Sequence, residues 1–98
     1  MKAVLKRAIK TYGAEAQLNV AIEEFAELTK EICKHKRGSE NTEAIIEEMA
    51  DCYIMLEQMK IIFGLGNAVI DDAMIIKTQR LKHRLDNHPT EKGGVQDA

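Results

Sequence analysis

Apolar residues recur along this chain at intervals of three and four, the spacing of one face of a helix. Four segments carry the pattern. The first covers residues 2–12, with Val4, Leu5, Ala8 and Ile9 on one side and Gly13 as its stop. The second runs from Ala14 to Lys36 through Leu18, Ala21, Ile22, Phe25, Leu28 and Ile32. Its end, "KHKRG", combines basic residues in the last turn with a glycine beyond, both favourable at a C-terminus. "SEN" supplies capping chemistry for the third segment, Thr42 to Phe63, whose stripe is Ile45, Met49, Cys52, Leu56, Met59 and Phe63. "GLGN" makes the next turn. Asn67 is placed to cap the fourth segment, which reaches Leu85 with Ile70, Ala73, Met74, Leu81 and Leu85 on one side. The only proline, Pro89, lies outside all four. Helices of this length with short connections pack antiparallel. The pattern therefore predicts an all-α antiparallel bundle of about four helices over residues 1–86, a single domain, with residues 87–98 as a loose tail.

Composition narrows the function classes. Ninety-eight residues bury a limited core, so oligomerisation is the expected way to cover more apolar surface. Trp is absent and aromatics are scarce, which argues against a stacking platform for single-stranded nucleic acid. A net charge of −2 gives no basic excess for binding a phosphate backbone. The two cysteines, Cys33 and Cys52, both fall in helical pattern and read as partly buried free thiols of a reducing compartment. The N-terminus has no signal-peptide character and no apolar run approaches membrane-spanning length. A cytoplasmic protein with no nucleic-acid or membrane partner is expected.

The acidic residues bear on chemistry. Each residue turns about 100° around a helix axis. On the third segment Glu43, Glu47 and Glu57 fall away from the apolar stripe and read as solvated charges. Glu48 shares a row with Met55 and Met59, and Asp51 follows one turn on, at the border of that arc. On the second segment Glu24 and Glu27 border the arc of Ala21 and Leu28, while Glu23 sits further out, near Lys30. Each central helix thus offers an i, i+3 acidic pair, and antiparallel packing can bring the pairs together. Converging carboxylates repel unless a divalent cation lies between them, and an all-oxygen set suits Mg²⁺ or Mn²⁺. The bland alternative is a set of boundary charges paired with Lys30, Lys34 or Lys60. Lys77 falls on the apolar side of the fourth segment, flanked by Arg80 and Arg84; it either snorkels to solvent or aims a cation inward, towards carboxylates or a phosphate.

The paired motif Glu23-Glu24-x-x-Glu27 and Glu48-x-x-Asp51, within "QLNVAIEEFAELTKEI" and "EEMADCYIMLEQM", resembles the MazG-like all-α nucleoside triphosphate pyrophosphohydrolases. "KTQRLKHRL" from Lys77 is similar to the basic segment that follows in many members. The resemblance spans about residues 14–85. It implies a helical bundle that forms a dimer or tetramer and cleaves nucleoside or deoxynucleoside triphosphates to the monophosphate and pyrophosphate, a nucleotide-pool housecleaning activity. It further implies Mg²⁺, with Mn²⁺ as a substitute, held by Glu24, Glu27, Glu48 and Asp51. Glu23 would then be an outer ligand or water-positioning base, and Lys77 and Arg80 would meet phosphates. Gln17 and Asn19 are candidates for hydrogen bonds to a base or sugar.

Two rivals follow from the residues. A di-iron carboxylate bundle needs Glu-x-x-His on paired helices, which is missing, and Cys33, His35 and Cys52 lack zinc-site spacing. A non-catalytic helical interaction or regulatory module would use Met49, Met55 and Met59 as an adaptable partner surface.

Overall fold

The computed structural model describes residues 1–89 and contains the four helices α1 (Lys2–Tyr12), α2 (Ala14–Lys36), α3 (Thr42–Ile62) and α4 (Asn67–Asp86). No strand occurs among the described residues. Of the expected tail, residues 90–98 lie outside the described residues. By contacts the chain divides into two compact units, Met1–Gly66 and Asn67–Ala98.

In the first unit, α2 and α3 end in the same way. Gly38 and Gly64 take φ values of 101° and 69°, the left-handed turn that closes a helix. The amides that follow then reach back: Ser39 N–H to Lys34 O at 3.1 Å, and Leu65 N–H to Lys60 O at 2.8 Å. A side chain at either glycine would be strained.

Helices α2 and α3 form the main packed pair and run antiparallel. Glu24 of α2 accepts from the Cys52 thiol of α3, while Glu31, further along α2, meets Asn41 at the start of α3. The facing residues alternate by four and three on both helices. On α2 they are Gln17, Ala21, Glu24, Leu28 and Glu31; on α3 they are Ala44, Glu48, Asp51, Met55, Gln58 and Ile62, all buried or half-buried. This seam is rotated from the stripe expected for α3. Cys52 is buried and Ile45 and Met59 are half-buried, but Met49, Leu56 and Phe63 are exposed. The reason is that apolar residues surround α3: Ile46, Tyr53 and Ile54 are exposed as well, so its sequence marks no single direction. Helix α1 packs on both partners through Leu5, which is buried, and through Ala8 and Ile9, which are half-buried; Val4 is exposed. The buried apolar core is small: Leu5, Ala21, Cys52 and Met55.

The second unit is described by α4. Ile70 is half-buried, and Met74, Leu81 and Leu85 on its expected inner side are exposed. No residue of α4 is buried. A lone helix of 20 residues gains most of its stability from packing an apolar face, so α4 presents a face that needs cover.

Candidate metal centre

The α2–α3 seam is polar at three levels, where most helix pairs are apolar throughout. At one end Asn41 donates two hydrogen bonds to Glu31, at 2.7 Å to Oε1 and 2.9 Å to the backbone oxygen. Lys34 reaches the other carboxylate oxygen at 3.5 Å. Asn41 precedes α3 but makes no side-chain cap, so the capping role expected of "SEN" is not taken up. Its amide donors go instead to a charged acceptor, which binds a donor more strongly than a neutral one does. The same contact holds the Glu31 carboxyl below its ordinary range, with Lys34 adding to it.

The middle level holds the carboxylates. One oxygen each from Glu24, Glu48 and Asp51 come within 4.8 Å of one another. The sequence explains this convergence: Glu24 occupies one seam position of α2, and Glu48 and Asp51 occupy two successive ones of α3. Glu48 Oε1 is enclosed and has no hydrogen-bond partner. None of the ion pairs among the described residues involves these three side chains. Burial raises the Glu24 carboxyl above its ordinary range, and the negative charges of Asp51 and Glu48 push it the same way. The Cys52 thiol beside them is raised too, first by burial and then by the three carboxylates. A cation would satisfy such a site: it would give Glu48 Oε1 a partner and offset the mutual repulsion. The donor set is all oxygen and half-buried, which fits Mg²⁺ or Mn²⁺ and not the sulfur- and nitrogen-favouring metals.

The other sequence-derived candidates are placed as follows. Glu27 does not join the group. It is exposed and pairs with Lys30 at 3.6 Å, the bland arrangement. Glu57 likewise pairs with Lys60, at 2.8 Å. Glu23 is exposed, one residue before Glu24. Gln17 is buried, and Asn19 is exposed. Lys77 and Arg80 lie on α4 and are exposed rather than aimed into a core. Cys33 is exposed, Cys52 buried, and both thiols are free. No helix is long and apolar enough to cross a membrane among the described residues. Pattern reading missed Gln58, a buried amide of α3 whose Oε1 has no partner. Its signal was available as the continuation, by sevens, of the row through Asp51.

Comparison with protein-family models, with curated proteins and with solved structures finds no match to this chain.

Proposed function

We propose that this protein is a Mg²⁺-dependent nucleoside triphosphate pyrophosphohydrolase that acts as a homo-oligomer. The observation that carries the reading is the carboxylate group of Glu24, Glu48 and Asp51 with its unpartnered Glu48 oxygen. The resemblance of the paired acidic motifs to MazG-like enzymes supports the reaction class. Glu24, Glu48 and Asp51 would hold the cation. When bound, it would neutralise charge on phosphate oxygens and make a water more acidic. Glu27 is one turn from Glu24, and its exposed ion pair is worth little, so this carboxylate is free to turn towards an incoming ligand. Glu23, unburied and next to Glu24, is suited to orient water and take its proton. Lys77 and Arg80 are exposed cations of α4, of the charge and type that suit phosphate oxygens.

Self-association is supported by uncovered apolar side chains. On α3 these are Ile46, Met49, Tyr53 and Leu56, with Phe63 just past its end, and α4 adds Met74, Leu81 and Leu85. A dimer is the simplest assembly that covers such faces, and a tetramer covers them by repeating it. The same faces favour the second reading, a non-catalytic interaction or regulatory module. It leaves the three carboxylates without a purpose.

The test is product analysis on a panel of ribo- and deoxyribonucleoside triphosphates. Pyrophosphate should form with Mg²⁺, stop with chelator and be lost in Glu48→Gln. Orthophosphate would move the cleavage point and sink the proposed mechanism. A folded protein that yields no product from any nucleotide would favour the interaction module.

A further inference from the structure

The cations of this chain are unevenly spread. Lys2, Lys6, Arg7 and Lys10 give α1 a charge of +4, and the helix contains no acidic residue. The whole chain carries −2, so the residues outside α1 carry −6. The other three helices each set a lysine three or four residues from a carboxylate and pair them: Glu27 with Lys30 on α2, Glu57 with Lys60 on α3, Lys82 with Asp86 on α4. On α1 that spacing is filled by like charges. Lys2, Lys6 and Lys10 stand four apart, and Arg7 stands three from Lys10. Like charges at this spacing destabilise a helix. None of the four makes an ion pair among the described residues. A helix needed only for packing gains nothing from such a row.

Packing decides where the row points. Leu5 is buried and Ala8 and Ile9 are half-buried, so that side of α1 lies on α2 and α3. With each residue turning about 100°, Ala3, Val4, Lys6, Arg7 and Lys10 all lie about 100° or more from Leu5. All five are exposed, Val4 at 67%. The outer face of α1 is therefore a basic strip about 16 Å long, with two small apolar side chains among its cations.

We infer that this strip docks the protein on an anionic lipid surface. A lysine stem lies along apolar material while its ammonium reaches a lipid phosphate. Ala3 and Val4 then meet the boundary between headgroups and acyl chains. A polynucleotide offers the same phosphates but no apolar layer for Val4. Tyr12 is the one aromatic of α1, too few for a platform that stacks bases. No helix among the described residues is long and apolar enough to cross a membrane, so the contact is peripheral. The strip uses neither the carboxylates of the seam nor the open faces of α3 and α4. The inference therefore does not rest on the hydrolase reading.

The experiment is co-sedimentation of the full chain with vesicles of phosphatidylcholine alone and of phosphatidylcholine mixed with phosphatidylglycerol. Fluorescence anisotropy with labelled DNA and RNA of random sequence runs in parallel. The wild type should bind the mixed vesicles and leave the neutral ones. Binding should fade with salt, because the screening length falls from about 8 Å at physiological ionic strength to about 3 Å at 1 M. Each cation near an anionic surface strengthens binding on the order of fivefold. The triple variant Lys6→Gln, Arg7→Gln, Lys10→Gln should therefore bind about a hundredfold more weakly. Its melt should stay close to that of the wild type, because the three side chains are exposed and unpaired. Val4→Ser should weaken vesicle binding by roughly threefold. A wild type that ignores the mixed vesicles, or binds neutral ones equally well, overturns the inference. So does a triple variant that binds like the wild type. Binding to DNA or RNA as tight as to the mixed vesicles replaces the lipid surface with a phosphate backbone and overturns it too. Should the triple variant fail to fold, Arg7→Gln alone carries the comparison, with an expected loss of about fivefold.

Discussion

Glu24 and Glu31 occupy equivalent seam positions one heptad apart, and their carboxyls shift in opposite directions. Glu31 has found a donor and Glu24 has found other acids. The pH dependence of stability follows from the two signs. The Glu31 carboxyl is lowered from 4.5 in the folded chain, so its contribution is complete above that value and is lost as pH falls through the lower, folded one. Asn41→Ala should therefore destabilise the protein at neutral pH and weaken the loss of stability on acidification, as read from melts between pH 3 and 7. The Glu24 carboxyl is raised from 4.5, so the folded chain keeps its proton longer than the unfolded one does. In chelator, stability should fall as pH rises through the range just above 4.5. Glu24→Gln should flatten that fall, and saturating Mg²⁺ should reverse it. A metal-free melt that rises with pH through this window, with Glu24→Gln unchanged, would count against the electrostatic account of the cluster. The acidic pairs were legible in the sequence because i, i+3 spacing fixes a shared side of a helix. Spacing does not say which member of a run faces the neighbour: rotation puts Glu24 in the seam, and Glu27, one turn on, pairs with Lys30. Asn41 misled because its long-range partner, Glu31, outweighs the local cap.

At the level of elements, helix positions were readable almost to the residue. Glycine and the basic last turn mark stops that depend only on nearby backbone chemistry. The face of each helix was readable only where polar and apolar residues segregate. Helix α1 does segregate, and Leu5 and Ile9 pack as its pattern requires. Helix α3 does not, and its seam follows the mixed row Ala44, Glu48, Asp51, Met55, Gln58 and Ile62. An apolar-stripe argument misses such a row, because half of its positions are polar. Leu5 is the single buried side chain of α1, so Leu5→Ala should cost about 2–5 kcal/mol, measured as a shift in the urea midpoint. Val4→Ala, at an exposed position of the same helix, should change the midpoint by less than about 0.5 kcal/mol.

At the scale of the molecule, four buried apolar side chains among the described residues make a slender core, and α4 adds none. The uncovered faces of α3 and α4 account for the shortfall if copies of the chain associate. Sedimentation should report a dimer or tetramer at micromolar concentration, and Tyr53→Glu on the open face of α3 should shift it to monomer. A wild-type monomer at high concentration would leave those faces without their proposed occupant. The two proposals both draw on α2 and α3: between them three carboxylates converge, and on the far side of α3 apolar side chains stay exposed. The central claim is the first of these. It is tested most directly by Mn²⁺ binding, followed by electron paramagnetic resonance of the free ion, for wild type and Glu48→Gln. The account predicts saturable binding to the wild type that Mg²⁺ displaces and that Glu48→Gln abolishes while remaining folded. At a hundredfold excess over Kd, the bound ion should add about 2.7 kcal/mol to stability. A folded wild type that leaves Mn²⁺ free, or binds it equally well without the Glu48 carboxylate, would contradict the account.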